Sequence, residues 1–131
     1  MQKMKRSLGF AIEGMFHAFE YERNLRFFFC GYVVVLCLGA FVRLLTWEWL
    51  AIIIAGGVFF CVELLNTSLE RLTDVIDENR KIAGGAVFHM GLKQAKDVAA
   101  GASLVCLVMN VIVIVLVFWP YFIMRMGALS S

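Results

Sequence analysis

Residues 51–74 read AIIIAGGVFFCVELLNTSLERLTD, an uncharged half followed without a break by a half carrying three carboxylates and an amide. Glu63, Asn66, Glu70 and Asp74 are spaced i, i+3, i+7 and i+11. At about 100° per residue they fall within a helical arc of roughly 80°. No proline interrupts the stretch, so one helix is expected to leave an apolar medium and continue into a polar one. An ionisable group inside a lipid-length segment costs on the order of 2.5 kcal/mol or more, and it marks a functional site by default. The reading is of a membrane-spanning helix with a functional stripe at one end.

The rest of the composition agrees. Of the 131 residues, 62% are hydrophobic and the mean hydropathy is +0.85, well above the roughly 45–50% apolar content of soluble domains. One proline and 12 phenylalanines suit long helices in lipid. The length allows a single domain, residues 1–131. A net charge of +2 gives no argument for a nucleic-acid partner. Cys30, Cys37, Cys61 and Cys106 lie in apolar runs with no Cys-x-x-Cys or Cys/His spacing, so they are expected to be buried hydrophobes rather than zinc ligands. Glu13, Glu20 and Glu22 interrupt residues 1–26, which argues against a cleavable signal peptide.

Three spans are expected, in an all-α fold. Residues 1–26 hold an amphipathic helix in which Leu8, Ile12, Met15 and Phe19 line one face and Glu13, His17 and Glu20 the other; such a helix lies in the membrane interface or docks on the bundle. Residues 27–45 form the first span, with Arg43 near its far end. Thr46 and Trp47 then turn the chain. Residues 48–77 form the second span with its polar extension, and 78–92 a glycine-containing loop. Residues 93–121 form the third span, with Pro120 marking its end. Gly56 and Gly57, and the small residues 99–103, suit close helix contact, and Asn110 reads as interhelical glue.

Five Lys or Arg lie in residues 1–26 and five in 71–96, while Arg43 and Arg125 stand alone at the other side. By the positive-inside rule the N-terminus and the polar stripe face the cytoplasm of a bacterial cell, in a multi-pass plasma-membrane protein. Three polar clusters collect at that edge. One holds Glu22, Arg23, Asn24 and Arg26, the second is the Glu63–Asp74 stripe, and the third holds Lys93, Lys96 and Asp97. Hard oxygen ligands such as Glu22, Glu70 and Asp74 suit magnesium, and lysines beside them suit a transferring phosphoryl group. Glu63 lies deepest, where it would meet a lipid hydroxyl as a general base.

No P-loop, G-x-G-x-x-G turn or G-x-S-x-G elbow is present, so any nucleotide site is of an unusual kind. A small transporter or proton relay using Glu63 would not need Lys96 or Asp97, and a structural trimerisation module would need no carboxylates. The collection of polar residues at one surface disfavours both.

The E-x-x-N-x-x-x-E-x-x-x-D stripe, followed by AKDVAAGA at residues 95–102, resembles the small prokaryotic diacylglycerol kinase family. Glu22-Arg23-Asn24 with Arg26, and Glu48-Trp49, look more like its Gram-positive, undecaprenol kinase branch. The resemblance covers roughly residues 9–121. It implies a homotrimeric membrane lipid kinase that moves the ATP γ-phosphoryl group to a lipid alcohol, with undecaprenol the expected acceptor and diacylglycerol the alternative. It also implies Glu63 as catalytic base and Glu22 and Glu70 as ligands of Mg2+. Asn66, Asp74, His89, Lys96 and Asp97 would serve ATP and the geometry around it, as would the two metal-binding carboxylates. The segment between Asp74 and Lys96 is longer than in the family, and Val87 replaces the acidic residue usually found two positions before the histidine.

Overall fold

The structure is a computed structural model. It describes residues 2–82 and 90–129, with side chains for 2–81 and 90–124. The described residues form four helices: α1 (Gln2–Tyr21), α2 (Arg23–Val42), α3 (Thr46–Ile82) and α4 (Met90–Leu129). Helices α2, α3 and α4 are each long and apolar enough to cross a membrane. At about 1.5 Å per residue, the 37 residues of α3 extend roughly 55 Å, well beyond a hydrocarbon layer of about 30 Å. One end of α3 therefore has to project from the apolar layer.

Helices α3 and α4 pack along most of their length, while α1 and α2 touch the pair less extensively. The α3–α4 pair is antiparallel. Tyr121 Oη donates to Glu48 Oε2 at 2.6 Å near the start of α3, Ser103 Oγ donates to Glu63 Oε2 in the middle, and Lys96 Nζ donates to Asp74 Oδ1 at 2.7 Å toward the other end. Leu44, Ile52 and Val117 form the buried apolar core at the Glu48 end, with Tyr32, Trp49 and Tyr121 packed around it.

The turn between α2 and α3 falls at residues 43–45, ahead of the Thr46–Trp47 position expected from sequence. Arg43 takes a left-handed conformation (φ 58°, ψ 58°), its N–H bonding the Ala40 carbonyl at 3.3 Å and the Leu44 N–H bonding Gly39 at 3.1 Å. This is a Schellman ending, which satisfies two of the last carbonyls of α2. It packs Leu44 over Gly39, where an added Cβ would lie 2.8 Å from Leu44 Cδ1. Glu48 then reaches back to the Leu45 N–H at 2.7 Å, forming half of a capping box at the start of α3.

Other boundaries also differ from the reading of the sequence. Helix α3 runs to Ile82 and α4 begins at Met90, so both flanks of the 78–92 segment are helical. Asn79, Arg80 and Lys81 carry no backbone break, and basic residues in a last turn favour the helix dipole. Pro120 does not end α4, which continues to Leu129. Proline removes one helical N–H bond, but Tyr121 next to it is held by Glu48 and by the core. Glu22 is the single extended residue between α1 and α2 (φ −95°, ψ 106°).

The cysteines are not core residues: Cys30, Cys37 and Cys61 are exposed and Cys106 is half-buried. A layer of a few thin helices has few interior positions, and apolar residues on its outer faces are covered by lipid or by other protein. Gly56 admits the ring of Tyr32, whose hydroxyl donates to the Ile52 carbonyl at 3.0 Å. Among the described residues Gly57 and Gly101 have nothing within 4 Å of where a Cβ would sit, so neither makes there the close contact expected of it. Asn110 is buried, yet its Oδ1 has no partner among the described residues.

Glu48 is 5% exposed, so its hydrogen bonds are made away from water. Tyr121→Phe is expected to lower stability by about 1–2 kcal/mol, read as an earlier unfolding midpoint in detergent, with helix content unchanged. An unaltered midpoint would show that the Glu48–Tyr121 bond does not hold this end of the pair.

Candidate functional site at the polar end of the helix pair

The stripe read from residues 63–74 lies on one continuous helix, α3. Its deepest member, Glu63, is 9% exposed and accepts the hydroxyl of Ser103 from α4. One turn on, Asn66 is buried, and its Nδ2 donates to Glu70 Oε1 at 3.3 Å. Its Oδ1 is also buried and has no partner among the described residues. Glu70 is half-buried, and its backbone carbonyl accepts the Thr73 hydroxyl at 2.8 Å. Asp74 is exposed and paired with Lys96. Solvent access therefore rises along the stripe, from a desolvated carboxylate to one in water.

Lys96 lies ahead of the apolar part of α4. Its ammonium pKa is raised above the ordinary lysine value, first by the hydrogen bond to Asp74 and further by the charges of Asp74, Glu70 and Asp77. It therefore carries a positive charge throughout the neutral range. Asp97, next in the chain, is exposed.

The α1–α2 junction brings the remaining acidic group to the same end. Glu22 Oε1 lies 3.9 Å from Arg71 Nη2, and the Arg71 guanidinium stands 5.3 Å from the ring centre of Tyr21. The break at Glu22 is supported locally: its N–H bonds the Ala18 carbonyl at 2.8 Å, and Arg26 donates to the Glu20 carbonyl at 3.2 Å. Glu22 is thus fixed beside the residue that follows Glu70.

The structure therefore brings Glu63, Asn66, Glu70, Asp74 and Lys96 onto one seam, with Glu22 held against Arg71 and Asp97 on the open side of α4. His89 lies outside the described residues. Among the described residues, no three His, Cys, Asp or Glu side chains gather closely enough to hold a metal ion by themselves. Beside the stripe an open groove of about 620 Å³ runs between α3 and α4, lined by Val62, Leu65, Asn66, Leu69, Val98 and Ala102 among others. Its wall is mostly apolar, with the Asn66 and Gln94 amides as its polar points.

Ser103 and Arg71 were not singled out from sequence as site residues. Ser103 read as one of five small residues suited to helix contact. The signal that could have found it is its position seven residues after Lys96, two turns along the same face of α4. Arg71 entered the sequence reading only as one of the five Lys and Arg of residues 71–96, and only the fold of α1 against α3 places Tyr21 and Glu22 next to it.

An all-helical membrane protein with carboxylates, an amide and a lysine converging where its longest pair of helices leaves the apolar layer has the parts of a membrane-surface phosphotransferase. Comparison with known proteins makes this specific. Residues 9–118 match the family described as prokaryotic diacylglycerol kinase. An undecaprenol kinase of Bacillus subtilis (strain 168) is 33% identical over 120 residues, covering 92% of this chain and 91% of that protein. The chain belongs to the prokaryotic diacylglycerol kinase family and is a membrane lipid kinase. Membership of a kinase family brings ATP as its co-substrate.

The Asp74–Lys96 pair is largely exposed, at 66% and 35% of the side chains, and exposed pairs contribute about 0–1 kcal/mol. Asp74→Asn is therefore expected to leave the unfolding midpoint nearly unchanged while raising the KM for ATP. A variant with unaltered kinetics would remove Asp74 from the site.

Proposed function

We propose that this kinase transfers the ATP γ-phosphoryl group to the terminal hydroxyl of undecaprenol, at the cytoplasmic face of the membrane. The observation that carries the reading is the graded stripe on α3, with a desolvated carboxylate deep at Glu63 and a lysine-paired one in water at Asp74. A lipid alcohol reaches the first from the membrane, and a nucleotide reaches the second from solution. The acceptor is taken from the named activity of the Bacillus subtilis relative. The orientation is supported by the ten Lys and Arg in residues 1–26 and 71–96.

In this reading Glu63 accepts the proton of the lipid hydroxyl as its oxygen bonds to the γ-phosphorus. The bond from that phosphorus to the bridging oxygen of ATP breaks, and ADP leaves. Lys96, Asp97 and Asn66 orient the nucleotide, and Asp74 sets the position of Lys96. The donor chemistry fits magnesium, which commonly takes one or two carboxylates and completes its shell with phosphate and water oxygens: Glu22 and Glu70 would hold it, and when bound it supplies neutralisation of phosphate charge. His89 is assigned to the nucleotide from the resemblance alone.

A homotrimer completes the proposal. Leu104, Val105 and Leu116 are each more than 60% exposed on α4, and Gly57 and Gly101 are open to close approach. Neighbouring protomers would also offer donors to Asn66 Oδ1 and Asn110 Oδ1. Helix α1 would lie in the interface, since Leu8, Ile12 and Met15 are exposed along one side of it.

Purified protein supplied with labelled ATP, magnesium and either undecaprenol or diacylglycerol is expected to label undecaprenol faster; preferential labelling of diacylglycerol would reverse the acceptor assignment. Glu63→Gln is expected to lower turnover by roughly 100-fold or more with the oligomer intact. Chelation with EDTA should abolish transfer and added Mg2+ restore it, and activity surviving chelation would remove the metal role from Glu22 and Glu70.

A further inference from the structure

We propose that Ser103 is the positioning residue for Glu63, fixing the carboxylate so that one oxygen faces the acceptor hydroxyl. The proposal rests on the reading of Glu63 as the base. Ser103 and Glu63 are 40 residues apart in sequence and come from different helices, yet both are buried, at 7% and 9% exposed, and hydrogen-bonded to each other. The terminal torsion of a glutamate is broad and roughly two-fold, so the helix backbone alone does not set the plane of its carboxylate. A donor on a second helix does.

The hydroxyl occupies Oε2, which leaves Oε1 to take a proton. Among the described residues Glu63 has no ion-pair partner, since the two ion pairs join Arg71 to Glu22 and Lys96 to Asp74. That suits a base, because a lysine or arginine bound to the carboxylate would hold it as an anion and oppose proton uptake. A neutral hydroxyl orients the group with a much smaller opposition. Ser103 also lies two turns from Lys96 on the same face of α4. One face of α4 thus carries both the hydroxyl that holds Glu63 and the lysine that Asp74 holds.

The test uses the full-length protein with labelled ATP, magnesium and undecaprenol. Ser103→Ala is expected to reduce kcat about tenfold, the scale of one lost hydrogen bond to a charged group, while the KM values for ATP and undecaprenol stay within about twofold. Ser103→Cys, nearly the same size but a weak donor, should fall with Ala, and Ser103→Thr, which keeps the hydroxyl, should recover most of the rate. Unfolding midpoints of all three, measured alongside, separate positioning from packing. A Ser103→Ala enzyme with unmodified kcat overturns the proposal. So does a loss that tracks a lowered midpoint, or one that Thr does not rescue while Cys does. If Glu63→Gln stays active, the base reading itself fails; if Glu63→Gln is inactive and Ser103→Ala is fully active, only the positioning role fails.

Discussion

Helices α3 and α4 run antiparallel, and three hydrogen bonds spaced along their shared seam each end on a carboxylate of α3: Glu48, Glu63 and Asp74. In an apolar medium, side-chain packing between helices gains little over packing against lipid, so polar contacts and small residues set the register. A slip of one residue would rotate every partner by about 100° and break all three bonds together. The pairing therefore determines which residues of α4 meet the stripe. Lys96 and Ser103 are presented to it because Tyr121 is anchored to Glu48 some distance away along the bundle.

That far anchor explains the structure at the opposite end. Glu48 accepts both the Leu45 N–H and the Tyr121 hydroxyl, so one carboxylate starts α3, closes the turn from α2 and ties down α4 just beyond its proline. The left-handed Arg43 and the close approach of Leu44 to Gly39 belong to the same corner. Here the buried cluster of Leu44, Ile52 and Val117 closes around the Glu48 carboxylate. At the other end α3 extends past the length a membrane needs, and solvent access rises from Glu63 to Asp74.

Much of this architecture was legible in the residues. Three apolar runs and the unbroken stripe after Val62 required long membrane helices with a polar end, and the 80° arc already put Glu63, Asn66, Glu70 and Asp74 on one face. Pro120 misled because its backbone penalty is local, whereas Tyr121 beside it is held in the bundle by a bond to a residue 73 positions away and by the core. The cysteines misled for a different reason. In a soluble fold an apolar environment means the interior, but in lipid it includes the outside of the bundle, and Cys30, Cys37 and Cys61 lie there. Ser103 was hidden because a small residue on a membrane helix has two uses, close packing and hydrogen bonding, which one sequence does not separate.

The grading of solvent access along α3 links these points to the chemistry. From Glu63 to Asp74 is eleven residues, about 16 Å of helix rise, long enough to run from a hydroxyl held at the lipid boundary to the far side of a triphosphate. A loop could carry the same carboxylates, but each would be free to move. On a helix their spacing is set by the backbone, and on α3 their orientation is set by α4 at two points, Ser103 and Lys96. Phosphoryl transfer asks mainly for position and charge stabilisation. A pair of helices whose register is locked at both ends supplies position, so the remaining demand on the proposed site is positive charge, which Lys96 would bring directly and the carboxylates through a metal ion they hold.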